Sequence, residues 1–306
     1  MEIFLVLLYK LIPLYILMAL GYVGGKFLKL QRESIANLLI YLIVPVVVFN
    51  GVYTTQLTPA LLALPVIFYV VGVTVSILMT RLTRNVWKDE VRALFSYVAG
   101  TGNTGYFAIP VLYALYGETG VNISIIINLA FIFYENTYGY YIMARGNFTP
   151  RQSLQKLIRL PAIYAFFLGL ICNISGLHLG ALYTDFAAQF RGAYLILGMM
   201  ILGLGIAAHD KTWSIDKKLI AYSYFTKFII WPAIGLVLVY LDETIFHLYE
   251  PIIHHIVLVM CSVPLAANTV IFATQLKVQP EKAATAVFLS TVFAVFYVPL
   301  IVVLFT

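Results

Sequence analysis

Asn103 and Asn268 each stand inside a long apolar segment beside residues that break helices, a combination suited to holding a polar solute within lipid. The first segment reads SYVAGTGNTGYFAIPVLYALYG and packs Gly100, Gly102, Asn103, Thr104, Gly105 and Pro110 into eleven residues. The second reads VLVMCSVPLAANTVIFATQ and carries Ser262, Pro264, Asn268 and Thr269. Proline lacks the amide hydrogen and clashes with the carbonyl one turn back, and glycine weakens a helix, so both segments are predicted to break near mid-membrane. Backbone groups freed there cannot face lipid, at a cost of several kcal/mol each, and must line a cavity or meet polar partners. Seven residues from Asn103 to Pro110 and four from Pro264 to Asn268 put each amide on the face of its proline. The candidate substrate-binding residues are Asn103, Thr104, Gly105, Pro110, Pro264, Asn268 and Thr269.

Two ionisable residues accompany them. Glu135, in FIFYENTYGYY, and Lys227, in YSYFTKFIIWP, each lie eight or nine residues from the basic end of their segment. That places both roughly 12 to 14 Å deep at 1.5 Å per residue. Intramembrane charges face the protein interior, so Glu135 and Lys227 are expected to pair, or to alternate between pairing and protonation, as the coupling site. The plainer alternative has Lys227 snorkelling and Glu135 anchoring helix packing. Asn128, seven residues before Glu135, shares its helical face. Lys10 is expected to snorkel or pack.

Enzyme chemistry has little to stand on. The chain contains no H-E-x-x-H, no G-x-S-x-G, no dinucleotide fingerprint and no phosphate loop, so neither a hydrolase nor an ATP-driven pump is indicated. Adjacent His254 and His255 point to different helical faces, and His209 with Asp210 reads as solvated. With only Cys172 and Cys261, both in apolar runs, no metal site or disulfide framework is expected, and no cofactor.

The elements that position these residues follow from a composition of 62% hydrophobic and 10% charged residues with mean hydropathy +0.95. A hydrocarbon core about 30 Å thick needs about 20 apolar residues per helix. Ten segments qualify, near 3–25, 33–53, 60–80, 93–116, 120–143, 156–175, 188–208, 218–240, 252–276 and 282–305. The fold class is therefore an all-α polytopic membrane protein, whose first segment reads as a retained helix rather than a signal peptide.

The net charge of +6 does not point to nucleic acid, because basic residues collect in alternate connectors. Lys26, Lys29 and Arg32 lie on one side with Arg81, Arg84, Lys88 and Arg92, with Arg145, Arg151, Lys156 and Arg159, with Lys211, Lys217 and Lys218, and with Lys277 and Lys282. The other side keeps only Arg191 among acidic residues, which orients both termini outside. The basic connector at 145–155 divides the chain into an N-terminal repeat, 1–144, and a C-terminal repeat, 156–306, of five helices each. An odd number per repeat inverts the second relative to the first. Pro13 to Gly21 and Pro161 to Gly169 share an eight-residue spacing near the starts of the first and sixth spans. Inverted repeats with broken spans at matching places mark many secondary transporters.

These residues also carry a resemblance. GNTGYFAIPV at 102–111, VPLAANTVIFATQ at 263–275 followed by STVFAVFYVPLIVVL, YLIVPVVVFNG at 41–51 and LGMMILGLGIA at 197–207 resemble the auxin efflux carrier family, across essentially the whole chain. That family includes plant auxin exporters and bacterial carriers of malonate and other organic acids. The resemblance implies a fold like that of bile-acid sodium symporters, with the broken fourth and ninth spans crossing beside the substrate. Spans one, two, six and seven would form a scaffold, often dimeric, and the rest a transport domain moving as an elevator. It also implies a plasma membrane location, the inner membrane in a bacterium. The long cytosolic loop of plant members is absent, so their phosphorylation control is not implied.

The crossing suits a small organic anion, a malonate-like dicarboxylate or an auxin-like indole acid. Half-helices starting at a break point about half a positive elementary charge into the cavity, and asparagine amides can bind a carboxylate and still release it. The expected activity is secondary active or facilitative transport, with protons as the coupling ion. Sodium-coupled symport is the alternative within carriers, and a channel or receptor the alternative outside them. Neither broken span carries an acidic residue to share a sodium ion.

Overall fold

The computed structural model describes residues 2–55, 59–87, 90–207 and 215–305, and every regular element among them is helical. In chain order they are α1 (Glu2–Phe27), α2 (Arg32–Thr54), α3 (Pro59–Leu82), α4 (Glu90–Ala99), α5 (Ile109–Tyr134), α6 (Tyr140–Ala144), α7 (Pro150–Leu157), α8 (Pro161–Ile174), α9 (Gly180–Ala207), α10 (Lys217–Phe246), α11 (Pro251–Cys261), α12 (Asn268–Leu276) and α13 (Pro280–Phe305). Wide, π-helical turns occur at Leu39–Ile43, Thr104–Ala108, Glu135–Gly139, Thr226–Ile230 and Asp242–Phe246. Such turns are frequent at functional sites, and Thr104, Glu135 and Lys227 each lie in one. Side chains 2–8, 10 and 11 lie outside the described residues, as do residues 208–214, and with them the expectations for Lys10, His209 and Asp210.

Among the described residues six stretches are long and apolar enough to cross a bilayer: Arg32–Thr54, Ala63–Leu82, Glu90–Ala144, Gly180–Ala207, Lys217–Phe246 and Pro280–Leu304. A seventh is added if Pro150–Ile158 and Pro161–Ile174, bent by 48°, form one span. The sequence predicts ten: part of the difference lies where helices break or fuse, and the first expected span, 3–25, includes side chains outside the described residues. Expected spans 93–116 and 120–143 run into one 55-residue stretch, whereas 252–276 divides into α11 and α12, of 11 and 9 residues. The long stretch turns at Gly117, whose φ of 60° and ψ of −145° suit a residue without a Cβ. Just past it, Gly120 comes close to the Leu112 carbonyl.

Local chemistry sets the ends. Pro161 and Pro251 open α8 and α11, where a missing amide hydrogen costs nothing. Thr149 and Gln152 form a capping box ahead of α7, at 3.3 and 3.0 Å. The Asp216 carboxylate caps α10 by accepting from Leu219 N–H at 3.0 Å and meets the Lys282 ammonium at 3.1 Å.

Two helix pairs pack with unusual closeness. α1 lies along α9, and the second half of α2 lies along α8. A Cβ on Gly203 would run into the Met18 carbonyl, and one on Gly21 into that of Met200. In the other pair a Cβ on Gly169 would stand 2.8 Å from the Phe49 carbonyl. Gly21 and Gly169, the matched glycines of the sequence echo, thus make equivalent main-chain approaches. Gly198, Gly203 and Gly205 spend their missing side chains within the chain, against Tyr106, Met18 and Ala284. Asn173 likewise packs, its amide nitrogen 2.8 to 3.0 Å from the carbonyls of Val52, Tyr53 and Thr55. Large exposed side chains are mainly apolar, among them Leu42, Val66, Ile171, Val237 and Phe296, as expected where the surrounding medium is lipid.

Candidate functional site

The two breaks meet. The helix of α4 ends at Ala99, residues 100–103 are extended or turned, and the chain resumes as the π turn Thr104–Ala108 leading into α5. Asn103 caps that restart, its Oδ1 accepting from Tyr106 N–H at 3.2 Å. Its own backbone N–H donates to the Pro264 carbonyl at 2.8 Å, inside the break between α11 and α12. Leu265 N–H, freed by the same break, donates to Ser290 Oγ on α13 at 3.2 Å. Each interrupted helix is thereby satisfied by the other interruption or by a neighbour, as lipid demands.

Helix starts and helix ends divide the crossing between them. Thr104 and Asn268 begin their helices, so the partial positive charge of two N-termini is presented there. α4 and α11 end at the crossing with the opposite sign. On that side sits Lys227, 1% exposed: a side chain on Gly102 would collide with its ammonium. Lys227 Nζ has no hydrogen-bond partner and lies 4.4 Å from the Trp231 ring and 5.8 Å from that of Phe131. Trp231 Nε1–H in turn donates to the Ala99 carbonyl, the last of α4, at 2.8 Å.

On the N-terminal side the chain encloses a cavity of about 450 Å³, lined among others by Asn50, Asn103, Thr104, Asn128, Glu135, Asn136, Arg191, Tyr194 and Asn268. Glu135, 4% exposed, accepts from Thr101 Oγ1–H at 2.7 Å and from Asn268 Nδ2–H at 2.6 Å. Such charge-assisted bonds are short and about twice as strong as neutral ones. Asn268 also meets the Tyr194 hydroxyl, 3.0 Å from Oδ1 and 2.9 Å from Nδ2. The Tyr194 ring packs on Tyr106 with centroids 4.7 Å apart. Thr104 Oγ1–H donates to Asn128 Oδ1 at 2.7 Å, and the Asn103 amide nitrogen is buried with no protein acceptor. The result is a wall of amide donors with one carboxylate behind it.

Residues 6–302 match the family described as membrane transport protein. The chain belongs to that family, the one of the auxin efflux carriers. An uncharacterized transporter of Methanocaldococcus jannaschii is 25% identical over 298 residues, covering 93% of this chain and 94% of the relative. A probable auxin efflux carrier component of Oryza sativa subsp. japonica is 26% identical over 141 residues, 45% of this chain and 32% of the rice protein. The protein is accordingly an integral membrane transporter, and its family is not one of enzymes.

The sequence expectations fall unevenly on this transporter. Asn103, Thr104, Gly105, Pro110, Asn268 and Glu135 line the cavity together. Pro264 contributes its carbonyl to the crossing rather than a wall to the cavity, and Thr269 is buried with its hydroxyl unpartnered. Glu135 and Lys227 do not pair: no ion pair within 4.0 Å joins them. Both are buried, but Thr101 and Asn268 take both Glu135 oxygens and the Lys227 ammonium faces Gly102 and Trp231. Lys227 does not snorkel either, being fully enclosed. His254 and His255 diverge as expected, the first toward Asp242 at 2.8 Å and the second onto the Tyr116 ring. Among the described residues no group of three or more His, Cys, Asp or Glu is placed to hold a metal ion.

Four contributors were not singled out for the site. Asn128 had a signal in its seven-residue spacing from Glu135, and Thr101 in its place within GTGNTG. Arg191 stood out only as the lone basic residue of its side, and nothing distinguished Tyr194 among 22 tyrosines.

Proposed function

We propose that this transporter carries a small organic anion by alternating access, with the anion held on the amides of Asn103 and Asn268 and a proton taken by Glu135. The observation that carries the reading is the 2.6 Å bond from Asn268 Nδ2–H to Glu135 Oε2 on the cavity wall. A solute carboxylate at Asn268 has to compete with the Glu135 carboxylate for the same donor and sits beside a like charge. Protonating Glu135 removes the competitor and the repulsion together, so anion and proton load as a pair. The N-termini at Thr104 and Asn268 add positive potential on the same side.

Ten spans in two inverted repeats, 1–144 and 156–306, accommodate the helices. Glu90–Ala144 then counts as two spans turning at Gly117, α11 with α12 as one broken span, α7 with α8 as another, and α1 as the first. The equivalent approaches of Gly21 and Gly169 support the symmetry. α1, α2, α8 and α9 form the scaffold, through which two copies associate, and the crossing moves against it with its solute. Sodium is not required in this scheme, because the Lys227 ammonium already supplies a cation at the helix ends.

The test is uptake into proteoliposomes with an imposed pH gradient. Wild-type flux rises when the gradient favours proton entry with the anion, is indifferent to replacing sodium by potassium, and shows exchange with internal anion. Glu135→Gln retains exchange but loses the response to the gradient; an unchanged response ends the proton role.

A further inference from the structure

We propose that Arg191 is the charge-selecting residue of the cavity, binding the second anionic group of a solute that carries two. The proposal rests on the anion reading above and adds to it a residue outside the crossing.

Among the described residues, Glu135 and Arg191 are the only formally charged ones lining the cavity, and they differ in circumstance. Glu135 is enclosed and has both oxygens engaged. Arg191 is exposed and enters no ion pair or hydrogen bond among the described residues, whereas Arg32, by contrast, is bound to Glu281 at 3.1 Å. Its surroundings leave space for a ligand: Ala187, Ala188 and Gly192 line the same wall, and a Cβ on Gly192 would meet nothing within 4 Å.

Position supplies the second half of the argument. Arg191 precedes Tyr194 by three residues on α9, one turn along the same helix face, or about 4.5 Å of rise. The Tyr194 hydroxyl touches Asn268, so α9 puts an unpaired guanidinium one turn beyond the residue that reaches the amide site. A solute with one carboxylate is served by the amides of Asn103 and Asn268. One with a second carboxylate a few bonds away presents it to Arg191, whose planar fork of N–H donors matches a carboxylate. A positive residue at this place also disfavours cationic solutes, and the enclosed Glu135 has both oxygens already engaged by Thr101 and Asn268.

Isothermal titration of purified protein at pH 7.5 tests this with three length-matched pairs, malonate with propionate, succinate with butyrate, and glutarate with valerate. The wild type should bind at least one dianion tenfold or more tighter than its partner monoanion. Arg191→Gln should weaken that dianion at least tenfold more than the monoanion, and Arg191→Lys should recover part of the difference, since it restores the charge but not the fork. Equal melting temperatures of the unliganded variants exclude a folding cause. If Asn103→Asp abolishes binding of both classes while Arg191→Gln leaves their ratio unchanged, the amide site stands and the role of Arg191 falls. If neither class binds the wild type, or the monoanion binds tighter in every pair, the proposal is overturned as well.

Discussion

The Asn103 backbone N–H donates to the Pro264 carbonyl at 2.8 Å, tying one broken helix to the other at the point where both lack partners of their own. Because a main-chain group makes this bond, substitutions at position 103 can alter the amide side chain without cutting it. That separates the part of the site that holds the fold from the part offered to solute.

Asn103→Asp keeps an oxygen to accept from Tyr106 N–H but replaces the amide donor with a negative charge. Anion transport should fall by at least a hundredfold while the melting temperature changes little. Asn103→Ala also removes the cap, worth about 1 kcal/mol, and should melt lower. Asn268→Ala should abolish transport with expression intact. Counterflow in proteoliposomes and thermal melts in detergent check both.

Lys227 is a buried ammonium with no hydrogen bond, so its removal should not weaken the fold. Burying an ammonium without a hydrogen-bonded partner costs free energy, so an apolar side chain of similar length is tolerated at this place. Lys227→Met should therefore melt at or above the wild-type temperature while transport declines, because the helix ends lose their counter-charge. A melting temperature several degrees lower would mean that the ammonium is a structural keystone instead.

Gly117 makes no contact that a methyl group would disturb, yet its backbone conformation suits glycine alone. Gly117→Ala should cost about 1 to 3 kcal/mol through strain only. Differential scanning fluorimetry should show the loss, and Asn should fare no better, because the left-handed region that asparagine tolerates has positive ψ whereas ψ here is −145°.

Asp216 lies at the start of α10, outside the spanning stretch. Partial burial pushes its pKa up, but the Leu219 N–H and the Lys282 ammonium outweigh this and hold the carboxyl below the usual carboxylate range. A carboxyl depressed on folding stabilises the protein above its unfolded pKa, about 3.9, and stops doing so as pH falls through the folded value. Asp216→Asn should thus melt below the wild type at neutral pH, with the gap closing below about pH 4. A constant gap from pH 7 to pH 3 would assign the effect to geometry rather than charge.

The breaks were readable because proline and glycine act on their own backbone, without help from distant residues. Gly100, Gly102 and Pro264 announce interruption wherever the rest of the chain goes. Asn103 and Asn268 were readable for the same reason, since they sit at those interruptions. What Glu135 and Lys227 face was not readable. Helix rise fixes depth, but the direction of a side chain depends on how the helices are turned against one another, and here that turn sends one to Asn268 and the other to Gly102. Tyr194 is illegible on the same grounds, meeting Asn268 from 74 residues away. Hydropathy sees apolar length alone, and neither a turn at Gly117 nor a helix in two short pieces changes that length, so it does not show how the expected spans divide into helices.

Where Gly203 lies on Met18, backbone rests on backbone with no side chain between to change rotamer. A seam of that kind offers no graded slippage, because sliding it would first require prising the helices apart. α1 and α9 are therefore bound to travel as one block. If the crossing moves against them as proposed above, the Tyr194–Asn268 hydrogen bonds, worth about 1 kcal/mol each, would have to break along with the packing of Tyr194 on Tyr106.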